Sequence, residues 1–322
     1  MSARPASRDW VGVFAPATVA NVGPGFDCFG FAVEQPGDVV RVRIVAGSGA
    51  KVLRIEGDGG KLPREPDRNT ASVAALRVLE GYPELAAQYG LELEIDKGLP
   101  LCSGLGSSAA SAAAGAVAAM EAIVALSGAT FDRELVLRGA LAGEAVASGA
   151  EHADNVAPAL LGGFTIVQSR SPLRVERFDP ALELAVALVT PQIEIPTKTA
   201  REILPRLVPL DAAVDNWSNS AALVLALLRG DCDLLAAALC DRIVEPHRAA
   251  LIPGCEQVKA AALEAGALGA SISGAGPTIF ALALDQSTAQ RAAEAMHAAF
   301  QRAGLQSQAL VTRPSPQGAR RI

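Results

Sequence analysis

The sequence predicts an α+β protein of two domains, and three observations support this fold class. Half of the residues are hydrophobic, so a chain of 322 residues can bury a large core. Short segments with the two-residue alternation of strands occur in both halves, among longer segments that favour helix. In the second half the order of these segments, with neighbouring helices grouped, is β-α-β-β-α-β, which is typical of a ferredoxin-like domain.

The first domain is predicted to span residues 1–165. Its expected strands are VGVFAP (11–16), which Pro16 should end, VVRVRIVAG (39–47), LELEI (91–95) and LGGFTIVQ (161–168). NTASVAALRVLEGY (69–82) predicts a helix with Asn69 or Thr70 at its N-cap, and FDRELVLRGALAGEAVASG (131–149) predicts another. The alanine-rich segment after Gly106 predicts a third helix, which we expect to be buried.

The second domain is predicted to span residues 166–322. Its strands are expected at 183–190, 267–273, 278–284 and 307–312, with the tight turn GAGP between the second and the third. Helices are expected at 197–206, 216–229, 232–243, 255–265 and 287–304, the last of which ends at a glycine. The tail PSPQGARRI shows no periodic pattern, so we expect it to lie unpacked.

Charge and composition argue against several classes of function. The net charge is −6 and no basic patch is present, so nucleic acid is not an expected partner. The chain has only five lysines, and a Walker-type phosphate loop needs a lysine after its glycine. None of the five cysteines has C-x-x-C spacing, which argues against a zinc site and a disulfide scaffold. Reduced thiols favour the cytoplasm.

Two apolar segments bear on membranes and targeting. The N-terminal stretch MSARPASRDWVGVF lacks an apolar run of the length that a signal peptide needs. Residues 104–126 are long but only weakly apolar, since most are alanine and Glu121 interrupts them. We therefore expect a buried helix there, and no membrane partner.

The segment GLGSSA (104–109) carries the strongest chemical signal. Its glycines allow close approach of the backbone to a ligand, and the following helix presents unpaired N–H groups at its positive end. This combination favours a phosphate, and the hydroxyls of Ser107 and Ser108 suit a phosphate or a magnesium ion. A dinucleotide fold is an alternative, but LELEI ends well before the first glycine and no second strand follows at the right distance. A helix start without a ligand also stays open.

Three segments resemble motifs of the GHMP kinase superfamily, named for galactokinase, homoserine kinase, mevalonate kinase and phosphomevalonate kinase. They are APATVANVGPGFDCFGFA (15–32), the loop PLCSGLGSSA (100–109) and GASISGAGPTIFAL (269–282), which occur in the family's order. The resemblance implies a GHMP-kinase-like architecture, in which a ribosomal-protein-like N-terminal domain precedes a ferredoxin-like C-terminal domain. The active site would lie between the two, with ATP as co-substrate and Mg²⁺ as cofactor.

Four further segments resemble the homoserine kinase branch: NVGPGFDCFG (21–30), GAEHADNVAPALLGG (149–163), IPTKTAREILP (195–205) and EPHRAALIPG (245–254). This resemblance implies transfer of phosphate to L-homoserine on the route to threonine, and it suggests a homodimer. A sister kinase for mevalonate or a sugar, and a non-catalytic nucleotide-binding member, are the alternatives. Neither mevalonate nor a sugar has an ammonium for Asp27 and Asn21 to bind. Loss of the glycine loop or of Glu144 would indicate a non-catalytic member, and both are present.

The resemblance also implies roles for individual residues. Ser107 and Glu144 would hold the metal and, with Asn155, form the catalytic set; Asn155 stands where several relatives place an aspartate base. The substrate's ammonium, hydroxyl and carboxylate would be bound by Asn21, Asp27, His152, Asn155, Thr197, Arg201 and Arg248. The nucleotide would be bound by Asn69, Pro100, Leu101, Cys102, Ser103, Gly104, Leu105, Gly106, Ser107, Ser108, Ala109 and Ala110. Lys97 is the only lysine close to this loop in the sequence.

Overall fold

The computed structural model describes residues 9–322, apart from the side chain of Ser148. Residues 1–8, on which the expectation about a signal peptide partly rests, lie outside the described part of the chain. The described residues form helices and strands in separate runs, and the strands make two separate sheets, so the predicted α+β class is confirmed.

The first sheet is built mainly from the first half of the chain. Its strands there are β1 (Val11–Ala20), β2 (Phe29–Ala46), β3 (Ala50–Glu56), β4 (Tyr89–Asp96), β5 (Phe164–Arg170) and β6 (Leu173–Phe178). The helices of this half are α1 (Thr70–Glu80), α2 (Pro83–Ala86), α3 (Ser107–Ser127), α4 (Arg133–Ser148) and α5 (Ala153–Leu161). The pairing order is β1-β2-β4-β3, with β5 joined to the other end of β2 and β6 joined to β5.

Helix α3 is the central helix of the first half, and its small side chains explain its position. A Cβ added to Gly115 would lie 2.5 Å from the carbonyl oxygen of Ala71, so α1 and α3 touch through their backbones. Of the described helices, α3 alone is long and apolar enough to span a membrane, but 83% of its apolar window is buried inside the protein. It is therefore the buried core helix that the sequence predicts.

The second half contributes five strands and six helices. The strands are β7 (Ala185–Pro191), β8 (Gly269–Ile272), β9 (Ile279–Ala283), β10 (Ser307–Thr312) and β11 (Arg320–Arg321). The helices are α6 (Thr197–Glu202), α7 (Leu210–Arg229), α8 (Cys232–Ala238), α9 (Glu245–Ala249), α10 (Cys255–Glu264) and α11 (Gln286–Arg302). Four of these strands form an antiparallel sheet in the order β10-β7-β9-β8, which is the ferredoxin-like arrangement that the order of elements predicts.

The two sheets do not divide the chain at residue 165, where the sequence places the domain boundary. Strand β5 contains that position and pairs with β2, and β6 extends the first sheet to Phe178. The tail also belongs to this sheet, because β11 pairs with β1 and Ser315 is buried. The expectation of an unpacked tail is therefore wrong: short backbone pairing, with no sequence periodicity, holds it in place.

One strand boundary and one whole strand also differ from the sequence-based expectation. Strand β1 does not end at Pro16 but continues to Ala20, with a register shift between Pro16 and Thr18. A bulge accommodates the missing N–H of a proline without ending the strand. The sequence does not predict strand β3, because its burial alternates irregularly; it runs parallel to β4 at the edge of the sheet.

Candidate active site

The glycine loop joins β4 to α3 and is shaped by the second half of the chain. Gly104 and Gly106 both have left-handed backbone conformations, with φ of +81° and +65°. A Cβ on Gly104 would lie 2.4 Å from the carbonyl oxygen of Ser273, in the turn between β8 and β9. The Ser273 hydroxyl donates to the Gly104 carbonyl at 2.7 Å, and the Thr278 hydroxyl donates to the Ser103 carbonyl at 2.6 Å. The two glycine motifs of the sequence therefore lie against each other.

Ser107 opens α3 directly after this loop. Its Oγ is buried and has no hydrogen-bond partner among the described residues. A buried hydroxyl is normally satisfied, so an unsatisfied one in a cavity indicates a place for a ligand. Gly106 provides no side-chain cap for the first N–H groups of α3, and Ser107 and Ser108 of its first turn line a cavity. This end of the cavity suits an anion.

A buried ion pair stabilises the glycine loop. Lys97 at the end of β4 forms an ion pair with Asp38 of β2, and both side chains are almost fully buried. The Lys97 ammonium also donates to the Ser107 carbonyl at 2.9 Å and to the Ser111 hydroxyl at 2.8 Å. Its three donors are thus used within the protein. Asp38 accepts in addition from the backbone N–H of Gly98, at 3.0 Å.

One cavity of about 330 Å³ brings most of the predicted site residues together. It lies between the glycine loop, α4, α5, α6 and the turn after β8. Of the predicted residues, it is lined by Asn21, Asp27, Leu101, Cys102, Ser103, Gly104, Gly106, Ser107, Ser108, Glu144, His152, Asn155, Thr197, Arg201 and Arg248. Residues from both halves of the chain therefore meet in one space.

The remaining predicted nucleotide contacts do not line this cavity. Asn69 caps α1: its Oδ1 accepts from Ser72 N at 3.2 Å and its Nδ2 donates to the Pro63 carbonyl at 3.0 Å. Leu105 and the first alanines of α3 are buried in the core. The residues outside the cavity are Asn69, Pro100, Leu105, Ala109 and Ala110.

The polar end of the cavity is an arrangement of one carboxylate and two guanidinium groups. Arg201 Nη2 lies 2.7 and 2.8 Å from the two carboxylate oxygens of Asp27. Asn21 Oδ1 accepts from the Asp27 N–H at 2.7 Å, and both residues have positive φ, 55° and 56°. This loop therefore adopts a constrained conformation that turns the Asp27 carboxylate inward. Arg170, which sequence reasoning did not identify, reaches Asp27 Oδ2 from outside at 3.1 Å.

Arg248 is held more rigidly than Arg201. It is buried, and its Nη1 donates to the Gly274 carbonyl at 2.7 Å. Burial lowers the pKa of its guanidinium, and the charge of Asp27 opposes that shift. Both guanidinium groups lie over the ring of Phe26, at 5.4 Å for Arg201 and 5.1 Å for Arg248. The two arginines are thus directed toward the same part of the cavity.

Three titratable groups face the middle of the cavity. His152 Nδ1 lies 3.1 Å from Glu144 Oε1, and its Nε2 is buried with no hydrogen-bond partner among the described residues. Burial alone would lower the pKa of His152, but the hydrogen bond and the charge of Glu144 outweigh it, and the pKa is raised above 6.5. Burial and the charge of Asp27 raise the pKa of Asp154 to about 6. Asp154 is buried and lines the cavity beside Asn155.

Thr18 is a site residue that sequence reasoning missed. It is fully buried on β1, and its Oγ1 donates to Asn155 Oδ1 at 2.8 Å. Its backbone N–H donates to the Leu105 carbonyl at 3.1 Å, so Thr18 connects Asn155 to the glycine loop. Its place within the APATVAN segment was the only available signal, because a threonine in a strand is ordinarily a packing residue.

Comparison with known proteins places the chain in a family. Residues 69–163 match the model of the GHMP kinases N-terminal domain, and residues 223–302 match that of the GHMP kinases C-terminal domain. The chain is 44% identical to the homoserine kinase of Chlorobaculum tepidum over 318 residues, covering 96% of this chain and 97% of the relative. It is 40% identical to the homoserine kinase of Pyrococcus abyssi over 301 residues, covering 94% of this chain and 96% of the relative.

A solved crystal structure is similar to this chain over nearly its whole length. The crystal structure of homoserine kinase from Cytophaga hutchinsonii is 45% identical in sequence and superposes with a TM-score of 0.91, covering 98% of both chains. The chain therefore belongs to the GHMP kinase superfamily and, within it, to the homoserine kinase family. The family resemblance and the two-part architecture that the motifs predict are confirmed.

Proposed function

We propose that this protein transfers the γ-phosphoryl group of ATP to the hydroxyl of L-homoserine, giving O-phospho-L-homoserine, a step toward threonine. The observation that carries the substrate assignment is the Asp27–Arg201–Arg248 group in the cavity. Homoserine carries an ammonium and a carboxylate on one carbon, and the cavity offers a carboxylate beside two guanidinium groups. Relatives at this level of identity are named homoserine kinases.

The ATP phosphates are proposed to lie against the glycine loop and the N-terminus of α3. The buried Ser107 hydroxyl, unpartnered among the described residues, supports this position. Lys97 contributes by fixing the loop, since its ammonium is already bound by Asp38, Ser107 and Ser111. Backbone N–H groups and the helix end would then bind the phosphate oxygens.

Mg²⁺ fits this end of the cavity. Magnesium is usually held by one or two protein oxygens together with substrate phosphates and water. The Ser107 hydroxyl and the buried Glu144 carboxylate both line the cavity and are oxygen donors of this kind. When bound, the ion would neutralise charge on the transferred phosphoryl group. Ser107 and Glu144 are the residues proposed to hold it.

Asn155 is proposed to position the substrate hydroxyl rather than to remove its proton. An amide cannot act as a base, but phosphoryl transfer depends mainly on alignment and charge stabilisation. The hydrogen bond from Thr18 fixes the Asn155 side chain for this role. His152 and Thr197 line the same cavity and are proposed substrate contacts. The reaction is expected in the cytoplasm, and the five unpaired cysteines favour a reducing compartment.

A coupled assay of ADP release with ATP, Mg²⁺ and a panel of alcohols tests this proposal. The panel is L-homoserine, mevalonate, galactose and L-serine. We expect kcat/KM to be highest for homoserine. Preference for mevalonate or galactose would replace the substrate assignment by that of a sister kinase. Nucleotide binding without turnover of any alcohol would indicate a non-catalytic member.

A further inference from the structure

A buried carboxylate outside the cavity lies one helical turn from Arg248. Glu245 opens α9, the short helix that also carries Arg248, and both residues belong to the segment EPHRAALIPG. Only 10% of the Glu245 side chain is exposed, and the residue lies outside the set that lines the cavity. A buried carboxylate destabilises a fold unless it is paired and hydrogen-bonded. The partners of Glu245 therefore show what it holds in place.

Glu245 binds the end of strand β8 through one carboxylate oxygen. Its Oε2 accepts from the backbone N–H of Ile272 at 3.0 Å and from the Ser271 hydroxyl. Ile272 is the last residue of β8, and the turn that follows it packs against the glycine loop. Hydrogen bonds to a charged acceptor are stronger than those between neutral groups. These two bonds therefore fix the first turn of α9 against β8.

Lys259 of α10 compensates the charge of Glu245. Its ammonium forms an ion pair with Glu245 Oε1, and 20% of its side chain is exposed. Burial alone would lower the pKa of Lys259, but the charge and the hydrogen bond of Glu245 outweigh burial, and the pKa is raised. Glu256 lies 3.6 Å from the same ammonium, but its side chain is 68% exposed. Lys259 on one oxygen and β8 on the other thus hold the Glu245 carboxylate in one orientation.

Arg248 binds the next part of the same segment, three residues further along α9. Its Nη1 donates to the Gly274 carbonyl at 2.7 Å, and its Nε donates to the Ala200 carbonyl at 3.4 Å. Residues three apart lie on one face of a helix, so Glu245 and Arg248 contact β8 and the turn after it side by side. The position of the Arg248 guanidinium in the cavity therefore depends on where Glu245 holds the helix.

Helix α9 is too short to hold Arg248 in place by its own hydrogen bonds. It has five residues, and a helix of this length is not stable in isolation. Asp241 accepts from the backbone N–H groups of Val244 and Glu245 at 3.0 and 2.8 Å, which fixes the start of the helix. The orientation of the helix about its own axis is left to side-chain contacts, and the Glu245 carboxylate supplies the buried ones to β8.

We propose that Glu245 is a positioning residue, which fixes the Arg248 guanidinium for the carboxylate of the substrate. The inference rests on the proposed function, since it takes that carboxylate to be bound by Arg248. Immobilising an arginine side chain on binding costs conformational entropy, and a helix fixed in advance removes part of this cost. Loss of the Glu245 contacts should raise KM more than it lowers kcat, because the carboxylate is bound in ground and transition states alike.

Two double variants separate positioning from stability. Both contain Lys259→Met, so that neither leaves a half-buried cation without its partner. Glu245→Gln/Lys259→Met keeps an oxygen that can accept from Ile272, whereas Glu245→Leu/Lys259→Met keeps the approximate volume and removes the acceptor. We expect KM for homoserine to rise about tenfold with Glu245→Leu and about twofold or less with Glu245→Gln, with kcat little changed. Equal KM values in the two double variants would overturn the proposal.

The matched control is Glu256→Gln, because Glu256 lies near the same ammonium on the exposed side of α10. It should keep the KM and kcat of wild type, and circular dichroism checks that every variant is folded. 3-Aminopropan-1-ol, which is homoserine without the carboxylate, should lose little activity with Glu245→Leu/Lys259→Met. Equal slowing of the two alcohols would mean that Glu245 is only structural and would reject its positioning role.

Combination with Arg248→Ala tests whether Glu245 acts through Arg248. If it does, adding Glu245→Leu/Lys259→Met to Arg248→Ala should change KM for homoserine no further, because the group that it positions is already absent. A further rise in KM as large as the rise in the Arg248 background of wild type would contradict the proposal, since the two effects would then be independent.

Hydrogen exchange of the Arg248 Nε–H measures the position of the side chain without any substrate. Nuclear magnetic resonance can assign this proton by the loss of its signal in Arg248→Ala. Exchange should be slow in wild type and about tenfold or more faster in Glu245→Leu/Lys259→Met, because a less fixed side chain opens to water more often. Unchanged exchange would overturn the positioning role. If exchange changes as expected while wild type prefers an alcohol other than homoserine, the substrate assignment fails and the positioning of Arg248 by Glu245 stands.

Discussion

At the scale of residues, the proposed binding groups for the two charges of homoserine neutralise each other. Arg201 contacts both carboxylate oxygens of Asp27. A zwitterionic substrate can enter between them without leaving a charge unpaired, since its ammonium replaces Arg201 at Asp27 and its carboxylate replaces Asp27 at Arg201. An alcohol with only one of these charges would leave one partner unsatisfied in a partly buried site. The ion pair thereby contributes to selectivity.

Asp27→Asn should raise KM for homoserine and lower kcat/KM about 30-fold or more. The reason is that removing one partner of a desolvated charge pair costs about 2–5 kcal/mol. Steady-state kinetics with homoserine measures this. Asp179→Asn is the matched control, because Asp179 pairs with Arg177 on the surface, and it should be near wild type. Equal effects of the two changes would remove Asp27 from the substrate site.

Asp154 gives the free energy of unfolding a pH dependence. Burial and the charge of Asp27 raise its pKa from 3.8 to about 6. The folded state therefore holds the proton more tightly than the unfolded chain, and this contribution to stability is present below pH 3.8 and lost as pH rises through about 6. The free energy of unfolding of Asp154→Asn, relative to that of wild type, should therefore increase as the pH rises from 3.8 to about 6. Urea unfolding measures it, and a difference independent of pH would contradict the burial argument.

At the scale of elements, the glycine loop and α3 act together, and two glycines of α3 allow a matched test. Gly106 and Gly128 cap the two ends with similar φ, +65° and +74°. A Cβ on Gly106 would lie 2.0 Å from Thr18 Oγ1, whereas one on Gly128 would meet nothing within 4 Å. Gly106→Ala should therefore displace Thr18 and Asn155 and weaken both turnover and binding of an ATP analogue, about tenfold or more.

Gly128→Ala should lower the free energy of unfolding only by the backbone strain of the left-handed conformation, about 1–2 kcal/mol. It should leave nucleotide binding unchanged. Calorimetric titration with the analogue, alongside thermal unfolding, separates the two effects. Similar nucleotide affinity in both variants would mean that Gly106 matters only for its backbone conformation.

The Lys97–Asp38 pair is predicted to be essential to the stability of the same element. Lys97→Met would leave Asp38 buried without its cation, which costs about 3–5 kcal/mol of unfolding free energy. Lys61→Met is the control, since Lys61 forms an exposed pair with Glu194 and should change stability little. Urea unfolding compares them. Equal stabilities would show that Asp38 is satisfied by its backbone donors and Ser111 alone.

Elements with a periodic pattern and a capping residue could be predicted from the sequence, and others could not. Asn69 caps α1 as its sequence indicates, and α4 lies within the segment predicted as a helix. The second sheet and its strand β10 agree with the predicted segments. Strand β3 and the tail escaped prediction because pairing with distant strands, which no local pattern records, gives them their structure.

The same limit applies to the candidate site. The glycine loop and the motif residues could be identified because their residue types and order resemble a family. Thr18, Asp38 and Arg170 could not, since each acts through a contact with a residue far away in the sequence. An aspartate or a threonine in a strand carries no sign of such a partner.

At the scale of the whole molecule, the candidate active site forms only because residues from the two halves of the chain meet in one cavity. The first half supplies the glycine loop, Asp27 and Glu144, and the second half supplies Arg201 and Arg248. The turn after β8 packs against the loop through Gly104 and Ser273, so one contact shapes both the proposed phosphate end and the Arg248 side of the cavity. We infer that Arg201 and Arg248 of the second half bind the carboxylate of the substrate, while the glycine loop of the first half binds the ATP that phosphorylates it.

Comparison of homoserine with 3-aminopropan-1-ol, which lacks only the carboxylate, tests this claim most directly. For homoserine, Arg201→Ala and Arg248→Ala should each lower kcat/KM about 30-fold or more, mostly through KM, because the carboxylate is bound in ground and transition states alike. Aminopropanol should be a poor substrate of wild type and lose little further in either variant. Arg170→Ala, which removes an exposed neighbour of Asp27, is the control and should change neither substrate strongly. If both arginine variants slow the two alcohols equally, the arginines do not bind the carboxylate, and the proposed substrate site is contradicted.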